Sequence, residues 1–174
     1  MANKTLEERI RAIEDRLEIY NLIAAHPPSA DTASGEFAAS FWADDGVFDQ
    51  GGTQRSGREI ANFTSPQFQA ALQRGIAHFV GLPHIRVMGD KAVVTSYLQV
   101  LSPDQVASPD PLPAHPPPQG YQGYRVHRLS ANRWDLVRTP QGWKIARRTL
   151  RLIEGKDASR EVLRSATDPT GALP

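Results

Sequence analysis

Histidine is the residue type in this chain best suited to acid–base chemistry, because an imidazole can accept or donate a proton near neutral pH. The five histidines stand at positions 26, 78, 84, 115 and 127, without the spacing of HExxH or another metal-ligand motif. We therefore predict no metal site. Cysteine is absent, which excludes disulfides, thiol nucleophiles and cysteine-bound zinc. No glycine-rich phosphate-binding motif occurs, so no nucleotide cofactor is predicted.

The composition is that of an ordinary globular chain with no strong electrostatic preference. Its 174 residues (19.2 kDa) are 40% hydrophobic and 22% charged, which suits one domain with a core. The net charge of +1 argues against nucleic acid or an anionic membrane as a partner. The sequence has no apolar run of about 18 residues, and its N-terminus lacks the apolar stretch of a signal peptide. We therefore expect no membrane contact and a cytoplasmic location.

Residues 6–24 have the periodicity of an amphipathic helix. Apolar side chains recur at steps of four and three along one face: Leu6, Ile10, Ile13, Leu17, Tyr20 and Ala24. Thr5 and Glu8 have the spacing of a capping box, which predicts that the helix starts near residue 5. Because a proline disfavours helical geometry in the residue before it, His26-Pro27-Pro28 is predicted to end the helix.

Shorter elements are predicted between residues 33 and 75. A second helix is expected over about 33–42, followed by a turn and a brief strand at Val47-Phe48. Another helical piece starts at Gly57. Ser65-Pro66 has the form of an N-cap followed by proline at the first helical position, and Gly75 is expected to end that helix.

Four apolar, β-branched runs predict two long hairpins. Residues 76–88 and 91–101 form the first, around the turn Gly89-Asp90. Residues 124–138 and 143–153 form the second.

The hairpins are separated by a proline-rich stretch, residues 102–120, which contains seven of the 14 prolines and is predicted to be a long loop. Loops of that length are often lids or binding loops. A short helix over Ala158–Arg164 is expected in the tail.

Helices followed by long antiparallel strands predict an α+β fold, with the N-terminal helices packed on one side of a curved, mostly antiparallel sheet. Such a sheet, capped by helices, encloses a cone whose mouth is a natural pocket for a small molecule. We assign residues 1–155 to this α+β domain and residues 156–174 to a C-terminal helix and tail.

Four stretches in order resemble the SnoaL-like branch of the nuclear transport factor 2-like (NTF2-like) superfamily, over roughly residues 5–155. They are His26–Asp31, Phe41–Asp49, the strand His78–Ile85 with Gly89-Asp90 and Ala92 after it, and the closing hairpin Arg133–Thr139 with Gly142–Arg148. Two features depart from the family. His26 stands where the family usually has tyrosine, and the proline-rich insertion is longer than usual.

The resemblance implies a cone-shaped α+β barrel that is commonly assembled as a homodimer or homotrimer. Members of the superfamily include dehydratases, isomerases, polyketide cyclases and non-catalytic association modules, so the fold alone does not fix a function. Scytalone dehydratase and the dehydrochlorinase of this group use a pocket histidine beside an aspartate, and His78 and Asp31 match that pair. The resemblance thus implies that His78 is a general base oriented by Asp31, with no cofactor.

Eight further side chains are candidates for contact with a substrate. They are His26, Trp42, Phe48, Tyr97, Tyr121, Tyr124, His127 and Trp134. His26 or Tyr97 would assist a departing oxygen, and the rings near the proline-rich loop would stack on an aromatic ligand. For each of them a purely structural role, at a helix end, in a strand or in the core, is the alternative.

Two arginine-containing stretches are predicted to be surface features. In Arg133-Trp134-Asp135, the outer two residues share a strand face and are interpreted as a cross-strand surface pair. The basic run over residues 147–151 is interpreted as solvated, because alternation along a strand spreads its charges over both faces.

The favoured function is a cofactor-independent lyase that catalyses dehydration or a related elimination or deformylation. Its substrate would be a small hydrophobic, aromatic molecule. An isomerase or polyketide-cyclase-type enzyme would begin with the same proton removal and stays open. A non-catalytic ligand-binding or association module is the alternative of another class, and it predicts that His78 and Asp31 are apart and that side chains fill the cone.

Overall fold

The computed structural model describes residues 5–104 and 123–167. The elements in chain order are α1 (Leu6–Asp31), α2 (Gly35–Ala39), β1 (Trp42–Gln50), β2 (Thr53–Ser56), α3 (Gly57–Ala61), α4 (Pro66–Gln73), β3 (Ala77–Val80), β4 (His84–Met88), β5 (Lys91–Pro103), β6 (Tyr124–Thr139), β7 (Gly142–Leu152) and α5 (Asp157–Thr167). Most of the proline-rich stretch, residues 105–122, lies outside the described residues, so the loop prediction is not tested there.

The seven strands form one curved sheet, which confirms the α+β class. Their order is β2-β1-β7-β6-β5-β3, and β4 pairs with the first half of β5 while β3 pairs with its second half. Only β1 and β7 run parallel; the other described pairs are antiparallel. The sheet does not close on itself, and the helices α1, α3 and α4 complete the cone on its concave side.

Both long hairpins form as predicted, with turns at Gly89-Asp90 and between Thr139 and Gly142. The first run is split, however, because Gly81, Leu82 and Pro83 interrupt it between β3 and β4. Proline lacks the N–H that a strand ladder needs, which accounts for the break. The segment predicted as a turn and a brief strand is instead the nine-residue strand β1, with an irregular register between Trp42 and Val47.

The start of α1 has the predicted capping box. The backbone N–H of Thr5 donates to Glu8 Oε2 at 2.8 Å, and the Glu8 N–H donates to Thr5 Oγ1 at 3.2 Å. The cap satisfies backbone donors that the first helical turn leaves without partners.

The prediction that His26-Pro27-Pro28 ends the first helix is wrong, because α1 continues through both prolines to Asp31. Each proline removes a hydrogen bond to the carbonyl four residues earlier. The final turn is stabilised instead by burial of Ser29 and Ala30 and by the Ser29 hydroxyl, which donates to the His26 carbonyl at 2.8 Å. Tertiary packing thus overrides the local preference, and the extra turns bring Asp31 to β3.

The predicted apolar stripe of α1 faces solvent rather than the sheet. Its five large side chains are between 44% and 68% exposed: Leu6, Ile10, Ile13, Leu17 and Tyr20. A different face of the helix contacts the sheet and is buried, through Asp15, Ile19, Leu22 and Ile23. The periodicity therefore identified a real apolar face, which is not the face that packs in this chain.

The core lies between α1 and the concave face of the sheet. Its most buried side chains are Ile19, Ile23, Val94, Trp134 and Leu136. The C-terminal helix α5, where a short helix was predicted, packs against β4, β5, β6 and β7. The domain boundary after residue 155 stays a prediction. Within the described residues, no helix is both long and apolar enough to cross a membrane.

Candidate functional site

A cavity of about 860 Å³ opens between the helices and the concave face of the sheet. The end of α1 contributes His26 and Ala30 to its lining, and β3 contributes His78. Apolar lining comes largely from α4 and the loop before it, and from β5 and β7: Phe63, Phe68, Ala71, Leu98, Val100 and Leu150. A volume of this size accommodates a drug-sized organic molecule.

His78, which lines this cavity, is in direct contact with Asp31, which is not itself part of the lining. His78 Nδ1 lies 2.6 Å from Asp31 Oδ1, and the backbone N–H of His78 donates to Asp31 Oδ2 at 2.9 Å. Both carboxylate oxygens therefore have partners on one residue, which fixes the aspartate relative to the imidazole. Since ionised Asp31 can only accept, its contact with Nδ1 assigns the ring proton to Nδ1 and leaves Nε2 as the basic nitrogen.

The imidazole of His78 is held among aromatic rings. Its ring centroid lies 6.0 Å from that of Phe68, which in turn stacks on Phe63 at 5.1 Å. The His78 side chain keeps only 12% of its exposure. A second aromatic pair lines the cavity from β1, where Trp42 and Phe48 meet edge to face at 6.3 Å. These surfaces suit a flat apolar ligand.

A second histidine contact also borders the cavity. Arg148 Nη1 lies 2.6 Å from His26 Nε2. A guanidinium can only donate, so His26 Nε2 accepts and the His26 ring proton lies on Nδ1. Burial, the charge of Arg148 and the nearby His78 together hold the pKa of His26 well below 6.5. His26 is therefore a neutral hydrogen-bond donor at pH 7, not an imidazolium acid.

Arg148 is buried, with 4% of its surface exposed, and lines the cavity from β7. Its Nε donates to Asn132 Oδ1 at 3.1 Å, and its guanidinium carbon lies 5.2 Å from the Trp134 ring and 5.4 Å from the Phe48 ring. Burial lowers the pKa of Arg148 to about 9, which still leaves it charged at pH 7. Within the described residues, no carboxylate forms an ion pair with it.

Four of the eight predicted substrate-contact residues line the cavity: His26, Trp42, Phe48 and His127. Tyr121 lies outside the described residues. Trp134 is fully buried behind Arg148 and does not line the cavity.

Tyr97, a candidate to assist a departing oxygen, does not line the cavity. Its neighbour Leu98 lines the cavity, and because alternate residues of a strand point to opposite faces, Tyr97 lies on the convex side, 48% exposed. Tyr124, at the start of β6, is 47% exposed and is also not part of the lining.

The surface interpretation of the basic run 147–151 is wrong for its second residue. Arg147 and Arg151 bind Asp49 at 2.5 and 2.6 Å, whereas Arg148 enters the cavity from the opposite face. A signal for this existed in the sequence, because strand alternation puts Arg148 on the same face as the apolar Leu150.

The surface interpretation of Arg133 is also wrong. Its exposure is 7%, and its ion pair with Asp135 at 2.7 Å lies along one strand rather than across two. Neither residue lines the cavity.

The cavity carries the groups for acid–base chemistry and for holding a polar ligand. It combines a histidine–aspartate pair, a neutral histidine donor, a buried guanidinium and aromatic walls. No group of three or more metal-ligating side chains gathers anywhere in the ranges 5–104 and 123–167.

The chain matches one family profile and is similar in fold to many solved structures. The profile described as the SnoaL-like domain matches residues 11–149. No curated protein matches the chain.

Solved structures support the same relationship. An NTF2-like protein with a cystatin-like fold from Novosphingobium aromaticivorans is 30% identical, with 93% of this chain and 99% of that chain covered and a TM-score of 0.78. A Mycobacterium tuberculosis protein of unknown function is 21% identical over 99% of this chain and 89% of its own, with a TM-score of 0.64. A proposed scytalone dehydratase from N. aromaticivorans is 17% identical over 82% and 87%, with a TM-score of 0.60, and shares the fold.

Proposed function

We propose that this chain, which belongs to the SnoaL-like domain family of the NTF2-like superfamily, is a cofactor-independent lyase. Its substrate would be a small aromatic molecule, and the reaction a dehydration or a related elimination or deformylation. The observation that carries this proposal is the 2.6 Å contact between Asp31 Oδ1 and Nδ1 of His78, a residue that lines a large cavity.

In the proposed reaction, His78 Nε2 removes a proton from a substrate carbon whose C–H bond is acidified by a neighbouring carbonyl or ring. The electrons of that bond form the new double bond while the C–O bond of the leaving hydroxyl breaks. His78 then returns the proton to the departing oxygen, which leaves as water and restores the neutral base. Asp31 stabilises the imidazolium that forms in between, as a carboxylate does in catalytic triads.

His26 has a supporting role in this scheme. Its Nδ1–H donates a hydrogen bond to a substrate oxygen without giving up the proton, because burial and the charge of Arg148 keep the pKa of the ring low. The family tyrosine that His26 replaces would offer one hydroxyl donor in the same region.

The proposal is tested by incubating the protein, without cofactor, with aryl alcohols, aryl 1,3-diols and hydroxylated tetralones and following ultraviolet absorbance. We expect His78→Ala to lower kcat by about 10²–10⁴-fold, the usual effect of losing a general base. Asp31→Asn should lower it by about a hundredfold or more, because an amide stabilises the imidazolium poorly. His84→Ala is the matched control, since His84 is exposed on β4 and outside the cavity. Turnover that survives His78→Ala unchanged would refute the mechanism.

Two other functions are distinguished by the same experiment. An isomerase or cyclase would use the same base, but it would leave the substrate mass unchanged or change it by something other than one water. Dehydration lowers the mass by one water. Mass spectrometry of the product therefore separates these reactions. A non-catalytic module gives no turnover with any substrate. The contact between His78 and Asp31 and the open cavity both run against what that last function predicts.

A further inference from the structure

Arg148 is a buried cation that the described part of the protein does not neutralise. Its two hydrogen-bond partners, His26 and Asn132, are both uncharged, and its two ring neighbours, Phe48 and Trp134, offer cation–π contacts but no counter-charge. Burying a charge without an opposite charge is costly, so it is normally paired. A protein keeps such a cation at a cavity wall when the counter-charge comes from a ligand.

Arginines dominate the charged lining of the whole cavity. Besides Arg148, four exposed arginines border it at Arg55, Arg74, Arg125 and Arg128. Within the described lining the one carboxylate is Glu59, which is itself exposed. The chain as a whole is nearly neutral, at +1. The positive charge is thus concentrated around this cavity, where it would attract an anion.

The layer behind Arg148 is also short of hydrogen-bond acceptors. Asn132 Nδ2 and Trp134 Nε1 are buried N–H groups without a partner in the described structure. Both belong to residues that contact the guanidinium. The carbonyl oxygen of the Asn132 amide already accepts from Arg148 Nε. The groups around the guanidinium that lack a partner are therefore N–H donors, which need oxygen acceptors.

We propose that Arg148 binds a carboxylate of the substrate, and that the substrate class is therefore the aromatic carboxylic acids. The reaction of such a substrate rests on the proposed function, whereas the binding of its carboxylate to Arg148 does not. A planar carboxylate matches the two parallel N–H groups of a guanidinium edge. Phe48, Trp42 and Phe68 then supply the walls for the aromatic ring. The His78–Asp31 pair lies in the same cavity to act on the rest of the molecule.

The test is calorimetric titration of the full chain with 2-naphthoate and with 2-naphthamide, which share a ring system and differ in charge. We expect wild type to bind the naphthoate at least about tenfold more tightly, as expected for a charge-assisted pair. Arg148→Met should abolish that preference while leaving naphthamide binding unchanged, and Arg148→Lys should keep part of it.

Arg147→Met is the matched control. It removes the same charge from the neighbouring position, whose side chain binds Asp49 on the other face of β7, and should keep the preference for naphthoate. Because the titration measures binding and not turnover, a failed lyase proposal does not affect this result.

Naphthamide binding as tight as naphthoate in wild type would overturn the proposal, and this comparison needs no variant to fold. Loss of turnover in Arg148→Met with unchanged naphthoate affinity would overturn it as well, because the guanidinium would then act only on the reacting oxygen.

A second, independent observation concerns the exposed stripe of α1. Its members, Leu6, Ile10, Ile13, Leu17 and Tyr20, follow steps of four, three, four and three, which is the repeat of positions a and d in a coiled coil. Their exposure leaves a seam without a partner along the described helix.

The charges beside this seam fit a second copy of the same chain. In the heptad that the stripe defines, Arg9 and Arg16 occupy g positions, and Glu7 and Glu14 occupy e positions. Parallel coiled coils pair a g residue with the e residue five positions further along the partner, which joins Arg9 to Glu14 of the second copy. An antiparallel pair would instead place like charges together. We infer that α1 mediates a parallel homodimer.

Sedimentation velocity of the full chain tests this. We expect a dimer that Ile13→Asp converts to monomer, that Arg9→Glu weakens, and that the combined exchange Arg9→Glu with Glu14→Arg restores. The three positions are exposed, so the fold should tolerate each change. A monomer at every concentration, or a dimer indifferent to Ile13→Asp, would refute the inference.

Discussion

Arg138 and Arg148 are two cations on the same hairpin with opposite surroundings. Each lies over a tryptophan ring, Arg138 at 4.5 Å from Trp143 and Arg148 at 5.2 Å from Trp134. Arg138 has two carboxylate partners, whereas Arg148 has none among the described residues. The contrast separates a cation that stabilises the fold from one that is available to a ligand.

Arg138 belongs to a closed network between α1 and the β6–β7 hairpin. It binds Asp15 at 2.7 Å and Asp90 at 3.0 Å, and Asp15 also accepts from Trp143 Nε1 at 3.3 Å. Hydrogen bonding to Arg138 is the main reason that the pKa of Asp15 is lowered, and the same contact raises the pKa of Arg138. Both shifts mean that each charged form is stabilised by folding.

Around Arg148 the shifts have the opposite meaning. Burial lowers the pKa of Arg148, and burial, the charge of Arg148 and the nearby His78 lower the pKa of His26. Folding therefore disfavours the charged form of both residues. The two arginines of this hairpin thus contribute differently. Arg138 stabilises the fold, whereas Arg148 is a buried positive charge that lowers stability.

The largest expected difference is in unfolding free energy. Arg138→Met should lower it by about 2–3 kcal/mol, because it removes the ion-pair partner of the buried Asp15 carboxylate and leaves it the hydrogen bond from Trp143 Nε1. Urea denaturation followed by circular dichroism measures the effect. Arg58→Met, which breaks the exposed pair with Asp44, is the control and should cost under about 1 kcal/mol. Equal losses of unfolding free energy in the two variants would mean that Arg138 stabilises the fold no more than an exposed ion pair does.

The second expected difference is in pH dependence. His26 has a folded pKa below its unfolded value of 6.5, so the unfolded chain binds more protons below that pH and stability falls as pH decreases. The free energy of unfolding should fall by at most about 1.4 kcal/mol per pH unit below pH 6.5. Asp15 has a lowered pKa too, but its contribution persists until pH falls below 3.8.

Urea midpoints at pH 7, 6 and 5 measure this dependence. His26→Asn, which retains an uncharged polar group, should remove most of the slope between pH 6.5 and 5. Asp15→Asn should leave that slope intact and change stability mainly through its lost ion pair. A slope that survives His26→Asn would assign the acid sensitivity to another group.

The smallest expected change is for Arg148→Met in the absence of ligand. Removing an unpaired buried charge relieves its desolvation, while Asn132 and His26 lose a donor, so the unfolding free energy should change by less than about 1 kcal/mol. Thermal unfolding of wild type and variant side by side checks it. A loss as large as that of Arg138→Met would show that Arg148 stabilises the fold after all.

Much of the fold could be predicted from the sequence because its local signals agree with the tertiary structure. The Thr5–Glu8 cap, the Ser65-Pro66 helix start and the Gly89-Asp90 turn each satisfy backbone groups locally, and each forms as predicted. The errors arose where packing decides. Pro27 and Pro28 remain helical because the residues on either side of them, Leu22, Ile23, Ser29 and Ala30, are buried, which no local signal encodes.

The candidate site was likewise predicted only in part. His78 and Asp31 were identified through a family resemblance and are in contact, although their catalytic role is still a proposal. Arg148 was missed because a run of arginines usually indicates a solvated strand. Its burial depends on Trp134 and Asn132 of the adjacent strand, and the register that joins those strands is not visible in one sequence.

The passage of α1 through Pro27 and Pro28 to Asp31 constrains how this gene can change. Asp31 reaches His78 from the last residue of a 26-residue helix that is anchored by Ile19 and Ile23. Each residue of an α-helix advances the side-chain direction by about 100°. One inserted or deleted codon between Ile23 and Asp31 would therefore turn the carboxylate away from His78. Substitutions can accumulate along this segment, but its length should be invariant in every descendant that keeps the pair.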